Sequence, residues 1–469
     1  MRDPARPDSS TAGHSEERPG RKRLWTAGTL TYTAGGLAVL FFWLLWGDFA
    51  WAMRERSVNP VLQVMLKQFG SSDFLNGLLL ASIPALLGVL IGPVLSYQSD
   101  RHRGRLGRRI PFLLYSTPLA AGSLFLMAST PWLGARLHAM LGDSSPGLSV
   151  CVLWAIGIAW TLFEVSALAS NMLFGALVND VVPKELLGRF FGLFRAISLL
   201  AGILFNKVLF AKSDEHYAMI FIGLGLLFGV GFGMMCFKVK EGEYPPPPPP
   251  DPKRPPGFFS ACKTYFRECY TNGYYLAIFL VTATAALAFT PINLFSVFYA
   301  DSIGMSRQSY GDHLAITYVI SLAAAYFLGW LADRFHPLRM GILSLILYTI
   351  VMFWGGLTAT DPRNFGIAFV AHGVVSGMYF TTTAALAARL FPRSLFAQFV
   401  SAGGLLAALM NATFPLILGY VLDNTGRDYR QTFFWGAALA LSAVVGLIYV
   451  HSRWQRLGGV RNYVPPAVA

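Results

Sequence analysis

The sequence contains little charge and little cysteine. Only 13% of its 469 residues are charged and 54% are hydrophobic, which is more apolar surface than an ordinary soluble protein buries. Its four cysteines (Cys151, Cys236, Cys262 and Cys269) show neither CxxC nor metal-ligand spacing, so we expect reduced, structural thiols. No GxSxG, HExxH or phosphate-cradling loop occurs in the predicted spans, and an enzyme is therefore not expected.

The chain is instead rich in long apolar runs. A run of about 20 apolar residues can cross a bilayer as a helix. Twelve such spans are predicted, at residues 30–52, 72–97, 110–129, 149–178, 190–211, 216–237, 274–300, 312–332, 337–358, 363–388, 396–421 and 431–451. The predicted organisation is a disordered tail (1–25), two six-helix bundles (26–237 and 274–452), a linker between them (238–273) and a second tail (453–469).

Basic residues are distributed unevenly along this predicted topology. The net charge of +13 comes mainly from Lys and Arg in the two tails and in loops that share one face if both termini lie there. Cationic loops resist translocation, so this face is predicted to be cytoplasmic in the cell membrane, the inner membrane in a Gram-negative cell. The basicity is thus a topology signal, and a nucleic-acid partner is not expected.

Two loop patterns recur in the two halves. A basic loop at residues 92–109 contains Asp100, Arg101 and Arg108, and a fainter copy at residues 329–339 contains Asp333 and Arg334. A second pair of loops places a helix-stopping proline, Pro183 or Pro392, six residues before a polar side chain that opens the next helix. Landmarks at matching positions predict two parallel repeats around a central cavity.

The linker between the halves contains six consecutive prolines at residues 245–250. Such a run favours an extended polyproline II segment, which would connect the bundles as a semi-rigid strap. Docking of an SH3-like partner is the functional alternative. Residues 258–270 mix basic and aromatic side chains and are predicted to lie as a short helix on the membrane surface.

With these features the chain, over residues 26–455, resembles the major facilitator superfamily. Ser99-Asp100-Arg101 followed by residues 107–112 is similar to the loop of sucrose:proton symporters and of glycoside-pentoside-hexuronide cation symporters. In the sucrose symporters an acidic residue precedes the Asp of an Ala-Leu-x-x-Asp motif by sixteen residues, the spacing of Glu164 and Asp180. The resemblance implies an all-α membrane fold of twelve transmembrane helices in two pseudo-symmetric halves and a transporter of small solutes. We expect a monomer without a cofactor.

Glu164 is the strongest candidate for coupling transport to protons. It lies near the centre of span 4, where insertion of a charged side chain costs about 2.5–3.5 kcal/mol and usually reflects a function. A carboxyl group in this position can take up a proton and release it when the cavity reopens. The alternative is a structural carboxyl bonded to a neighbouring Arg or hydroxyl.

Asp48 is a second candidate, as a ligand for the proton or the substrate. Trp46 and other aromatic residues beside it suit a sugar, whose hydroxyls bond carboxylates while its CH faces stack on rings. The alternatives are a salt bridge to Arg54 and interfacial anchoring of the tryptophans. Arg195 is placed to reach Glu164 or Asp180, or to act as a latch or a snorkelling side chain.

Neutral polar groups replace charges in the second half. Donors and acceptors without a fixed cation suit a neutral polyol better than an anion, unless Arg195 reaches the site. The predicted substrate-binding residues are Asp48, Trp46, Trp160, Asn293, Tyr318, His372, Tyr379 and Asn411. His372 is alternatively a satisfied structural histidine.

Charged residues at the cytoplasmic helix ends are predicted to act as gates. Their ion pairs would bridge helix ends in the outward-open state and separate on inward opening. The predicted gating residues are Asp100, Arg101, Arg108, Asp180, Arg189, Arg195, Asp333 and Arg334.

Together these features predict a secondary transporter that alternates access to a midplane site. The preferred function is symport of a sugar or small glycoside with H+, with Na+ as the alternative ion. A proton-coupled exporter of apolar compounds is the second possibility, favoured by the aromatic content. A non-transporting sensor would need a soluble output domain, which the tails are too short to supply.

Overall fold

The computed structural model describes residues 24–244, 265–392 and 396–466, which are almost entirely helical. The long helices of the first half are α1 (Ala34–Gln68), α2 (Asp73–Arg101), α3 (Ile110–Leu141), α4 (Leu148–Val181), α5 (Leu187–Leu204, continued by Phe205–Leu209 and Phe210–Lys212) and α6 (Ser213–Leu226, continued by Leu227–Phe232 and Gly233–Lys238). Those of the second half are α7 (Gly273–Ser302), α8 (Arg307–Phe335), α9 (Pro337–Thr358), α10 (Pro362–Thr383), α11 (Phe396–Asn424) and α12 (Arg430–Arg456).

Short elements flank these helices. Two antiparallel strands, β1 (Trp25–Ala27) and β2 (Leu30–Tyr32), precede α1 as a hairpin that the sequence analysis did not anticipate. Residues 265–270 form a short helix, within the stretch predicted to lie on the membrane surface. A turn of helix at Leu386–Leu390 follows α10, and α13 (Gly459–Asn462) follows α12. The proline run at 245–250 and residues 1–23 lie outside the described residues.

The helices agree with the twelve predicted spans. Ten segments of the described residues are long and apolar enough to cross a membrane, and one of them, Phe190–Lys238, contains both α5 and α6. The remaining helix, α8, has 29 residues and so extends about 43 Å. The prediction of a twelve-helix membrane fold is confirmed.

The predicted end of span 1 at residue 52 is wrong. Helix α1 continues through Arg54, Glu55 and Arg56 to Gln68, so three consecutive charges lie within it rather than in an external loop. Their charge lowers the hydropathy of the surrounding window, so the uninterrupted apolar run ends before them. The error matters because two of these side chains line the central cavity.

The helices alternate between two faces of the molecule. We call the face at which α1 begins and α12 ends the tail face, and the opposite one the far face. Loops that follow even-numbered helices lie on the tail face, and loops that follow odd-numbered helices on the far face. Pro183, between α4 and α5, and Pro392, between α10 and α11, both lie on the tail face.

The two halves meet along two pairs of helices, α2 with α11 and α5 with α8. Small residues bring the backbones together: a Cβ on Gly77 of α2 would collide with the Pro415 carbonyl, and one on Gly311 of α8 with the Asn206 carbonyl. A buried apolar cluster that includes Leu62, Phe205, Phe295 and Leu418 draws on both halves. A second cluster lies within the first half, around Leu40, Phe174 and Phe232.

Polar contacts join the halves at the far face. Both carboxylate oxygens of Asp423, near the end of α11, accept from the backbone N–H groups of Asp73 and Phe74 at 2.9 Å, which caps α2 from the opposite half. The Tyr429 hydroxyl donates to Asp73 at 3.0 Å. Ion pairs of Lys67 with Asp301 and of Arg307 with Asp214 extend this seam. The far face is therefore closed in this conformation.

The cap by Asp423 allows a test of this closure. Loss of an N-cap costs about 0.5–2 kcal/mol, and in Asp423→Ala the cost falls only on the conformation in which the halves meet. We expect the closed population to fall relative to the open one, roughly fivefold for each 1 kcal/mol. Distances between spin labels at Ser144 and Arg363, exposed on this face in opposite halves, should then include a longer fraction.

Asp361→Ala is the matched control, because Asp361 caps α10 within its own half by accepting from Arg363 and Asn364. It should lower thermal stability and leave the label distances unchanged. Identical distance distributions in Asp423→Ala and the parent would show that this cap does not hold the far face closed.

Candidate functional site

A cavity of about 770 Å³ lies between the two halves, lined by α1, α5, α7, α8 and α10. Its lining begins near the tail face, at Phe191 close to the start of α5 and Phe380 close to the end of α10. It reaches toward the far face as deep as Gln63 of α1 and Tyr310 of α8, below the seam described above. The cavity thus extends from the tail face past the middle of the molecule.

The first half contributes a charged wall. Glu55, Arg56 and Arg195 all line the cavity, together with Asn59 and Gln63. Arg56 donates to the Ser198 hydroxyl of α5 at 3.1 Å and lies 4.8 Å from the centre of the Tyr318 ring across the cavity. The sequence analysis expected a site without a central cation unless Arg195 reaches it; Arg195 does line the cavity, and Arg56 adds a second guanidinium group.

The second half contributes a neutral wall. His372 is almost fully buried, and its Nε2 lies 3.1 Å from Asn293 Oδ1 while its Nδ1 lies 2.8 Å from the Tyr348 hydroxyl. An amide oxygen only accepts, so Nε2–H donates to it and Nδ1 accepts from Tyr348, as in a neutral imidazole. Ser296 and Tyr310 share a hydrogen bond of 2.8 Å on the same wall. Amide, imidazole and hydroxyl groups here can bond solute hydroxyls.

Aromatic rings separate these polar groups. Trp51, Phe194, Phe369 and Phe380 line the cavity, along with the rings of Tyr310 and Tyr318. Flat apolar faces beside hydrogen-bonding groups suit the CH faces and hydroxyls of a sugar. Among the described residues, no group of three or more His, Cys, Asp or Glu side chains is arranged to hold a metal ion.

Behind the charged wall, Arg54 is fully buried and joins α1 to α4. It donates to Ser170 at 3.1 Å and to Asn171 at 2.5 Å, and its guanidinium lies 4.7 Å from the centre of the Phe228 ring. It also donates to Glu55 at 3.3 Å, so the carboxylate at the cavity is bonded to the buried cation. Asn171 accepts a further bond from Trp51.

Neither of the two acidic candidates is part of the cavity lining. Glu164 of α4 is half-buried and interacts electrostatically with Arg54 and Glu55. Asp48 is fully buried, and neither carboxylate oxygen has a hydrogen-bond partner among the described residues. The alternative of an Asp48–Arg54 salt bridge is wrong, because Arg54 pairs with Glu55 and bonds the two α4 side chains instead.

Several predicted ligand residues lie away from the cavity. The Trp160 indole donates to the Leu79 carbonyl at 2.6 Å and so joins α4 to α2. Trp46 is partly exposed and packs on Phe49. Tyr379 is buried against Phe289, and Asn411 accepts from Thr290 at 3.3 Å. Of the predicted substrate ligands, Asn293, Tyr318 and His372 line the cavity.

Other lining residues were not anticipated. A span that ends at residue 52 leaves Glu55 and Arg56 in a loop, but their side chains line the middle of the cavity. The sequence does contain a signal for their place inside the helix. They belong to a run of three consecutive charges between two apolar stretches, and Pro60 is the one proline within this helix. Lys207 of α5 pairs with Asp312 of α8 at 2.8 Å. Arg195 has no ion pair with Glu164 or Asp180 among the described residues.

The basic loop between α2 and α3 forms an ion-pair network within the first half. Arg108 donates two hydrogen bonds to Asp180 at the end of α4, at 3.0 and 2.6 Å. Arg109 pairs with Asp100 and also bonds Ser99 and Asp180. These contacts tie the tail-face ends of α2, α3 and α4 together. The cavity opens toward this face, yet the Asp100 and Arg108 pairs remain formed. This differs from the prediction that these pairs separate on opening.

The start of the linker joins the same network. Glu241 accepts from the backbone N–H groups of Arg108, Arg109 and Ile110 at 3.0, 2.8 and 2.6 Å, which caps α3. Tyr244 donates to Glu241, and burial together with this carboxylate raises the pKa of the Tyr244 phenol.

The remaining predicted gates are described only in part. Arg334 stacks on Trp330, with its guanidinium 5.4 Å from the ring centre. Arg101 is exposed. The side chains of Arg189 and Asp333 lie outside the described residues.

Comparison with known proteins places this arrangement in a family. The MFS/sugar transport protein profile matches residues 66–403. Three similar solved structures are a bacterial homolog of the human lysosomal transporter Spinster (14% identity, TM-score 0.63, 92% of this chain and 98% of that one), the nucleoside transporter NupG (11%, 0.64, 88% and 99%) and the xylose transporter XylE from E. coli (14%, 0.59, 87% and 94%). At these identities they show a common fold. The chain therefore belongs to the MFS/sugar transport protein family, and it is a membrane transporter of the major facilitator superfamily rather than an enzyme.

Proposed function

We propose that this transporter carries a sugar or small glycoside together with a proton, by alternating access to the cavity between its halves. The observation that carries the proposal is the cavity itself. Its volume of about 770 Å³ is within the range of about 300–1,000 Å³ that small-molecule sites occupy. Hydroxyl, amide and imidazole groups beside aromatic rings are the combination that sugars bind.

The direction of opening follows from the predicted topology. The tail face has the basic loop at residues 101–109, which resists translocation, so we assign it to the cytoplasm. The conformation described is then inward-facing, with the extracellular side closed by the seam around Asp73, Asp423 and Tyr429. Opening the far face requires these contacts to break while the tail-face ends of the halves approach each other.

Glu164 is the proposed coupling residue, with Asp48 as a second proton acceptor. Glu164 does not touch the cavity, yet Arg54 interacts with both Glu164 and Glu55. When Glu164 carries a proton, Arg54 loses one of its two nearby carboxylates and interacts more strongly with the other. Because Glu55 lines the cavity, proton uptake changes the charge distribution that the solute meets.

A second function has one observation in its favour. An apolar recess of about 350 Å³ between α7, α10 and α11 shares Phe380 with the central cavity. Thr282, Phe391 and Phe399 are among the residues that line it. Such a recess fits export of apolar compounds with proton coupling. Uptake of glycosides driven by an inward proton gradient would exclude this alternative.

Glu164→Gln tests the coupling role. The neutral amide imitates the protonated carboxyl, so the variant should retain equilibrium exchange of solute across vesicle membranes. Accumulation of a radiolabelled glycoside driven by a proton gradient should be lost. Reconstituted full-length protein allows both measurements on one preparation.

Glu215→Gln is the control, since Glu215 is highly exposed on the far face. It should accumulate solute at the parental rate. Accumulation by Glu164→Gln at that same rate would show that Glu164 does not couple transport to protons.

The ion-pair network at the tail face of the first half gives a graded prediction, because exchange requires this half to move as a rigid body. Asp180→Asn should slow solute exchange more than Asp100→Asn, because Asp180 is largely buried and accepts two bonds from Arg108, whereas the Asp100 side chain is 56% exposed. Hydrogen bonds to charged groups contribute about 1.5–3 kcal/mol each. Equilibrium affinity should change little in either variant, since neither residue lines the cavity. A large loss of affinity with an unchanged exchange rate would contradict the role of the network in keeping the first half rigid during exchange.

A further inference from the structure

Arg56 and Arg195, the two cations of the central cavity, form no ion pair with a carboxylate among the described residues, and the buried Asp48 acts on Arg56 only through a longer-range charge interaction. Glu55 is the acidic residue of the cavity lining, and it is bonded to the buried Arg54. Arg56 donates to a neutral hydroxyl, that of Ser198. Arg195 makes no hydrogen bond or ion pair within the described part of the chain. The lining therefore presents two guanidinium groups whose charges are not neutralised by an ion pair.

Arg56 and Arg195 occupy defined positions in the wall of the cavity, not on the outer surface of the protein. Arg195 and Ser198 are one helical turn apart on α5, so both face α1 and the cavity. The Arg56 guanidinium is held between Ser198 and the Tyr318 ring, 3.1 Å from the hydroxyl and 4.8 Å from the ring centre. Arg195 lines the same cavity as Arg56, Ser198 and Tyr318, and the charges of Arg56 and Arg195 act on each other. Like charges held together in this way are stabilised by an anion between them.

We propose that the cavity contains an anion subsite formed by Arg56 and Arg195, and that the transported solute carries a carboxylate group bound there. Guanidinium groups recognise carboxylates through paired N–H donors, and Ser198 adds a hydroxyl at the same place. The neutral wall around Asn293, Ser296 and His372 is left for the hydroxyl groups of the same solute. The proposal rests on the cavity being the transport site and names the class of solute as a polyhydroxylated carboxylate.

Binding of matched probes to purified full-length protein tests this subsite. D-glucuronate with D-glucose and D-gluconate with sorbitol are pairs that differ chiefly by the carboxylate. Calorimetry at constant ionic strength gives each dissociation constant. We expect a carboxylate to bind at least about tenfold more tightly than its neutral partner, and Arg195→Gln and Arg56→Gln to remove that preference. Arg195→Lys keeps the positive charge and should therefore keep part of the preference for the carboxylate.

Arg363→Gln, an exposed substitution on the far face, is the control and should retain the preference. Melting curves without ligand verify that each variant is folded, and Arg195→Lys supplies a second folded variant if a glutamine variant fails. The proposal is overturned if the neutral probe binds as tightly as its carboxylate, if no carboxylate binds, or if the preference survives in both glutamine variants.

These equilibrium measurements need no gradient, so they separate this proposal from the coupling proposal. Carboxylate binding without proton-driven uptake would leave the anion subsite standing and remove the symport mechanism. Proton-driven uptake of neutral glycosides, without binding of carboxylates, would support the symport mechanism and remove the anion subsite.

Discussion

The burial of charge within α1 is the constraint on which the first half depends. A charged side chain at mid-bilayer costs several kcal/mol unless it finds partners, and Arg54, Glu55 and Arg56 place three charges side by side there. A helix turns by about 100° per residue, so the three side chains point in different directions. Arg54 is directed into the protein, where Ser170, Asn171 and the Phe228 ring receive it. Arg56 is directed into the cavity. The contacts of Arg54 fix α4 and α6 against α1, and they bring the charge cluster next to Glu164.

The two halves share a scaffold but differ in chemistry. Each contributes helices to the same cavity, as expected of repeats around a common axis. The first-half wall is charged, whereas the second-half wall is an uncharged network of His372, Asn293 and neighbouring hydroxyls. A solute between them therefore meets ionic recognition on one side and neutral hydrogen bonding on the other. This division gives a bound solute a defined orientation, and it places the ionisable groups proposed for coupling on one half only.

Closure at the far face and order at the tail face are achieved in different ways. The far-face seam crosses between the halves, and its components, a helix cap from Asp423 and a few ion pairs, each contribute only a small stabilisation. A seam of weak contacts is suited to breaking and re-forming in each transport cycle. The tail-face network around Asp180, Arg108 and Glu241 stays inside the first half. It keeps that half rigid while the halves move, and it anchors the start of the linker to the body that moves.

The sequence by itself determined the number of spans, the division into two halves and the repeated loops, because apolar length and the distribution of Lys and Arg act locally and leave a direct trace in the residue order. It also singled out Asn293, Tyr318, His372 and Arg195, polar groups in apolar helices that do line the cavity. Only the tertiary structure decided which face of each helix meets the cavity. That choice placed Trp160 and Asn411 in contacts between helices and kept Glu164 and Asp48 out of the cavity lining. It also put Glu55 and Arg56, predicted to lie beyond the end of span 1, in the cavity wall. The physical reason is that a charge inside a membrane helix is tolerated when distant residues of the chain solvate it, and those partners, 116 residues away in the case of Arg54 and Ser170, cannot be read from the local sequence.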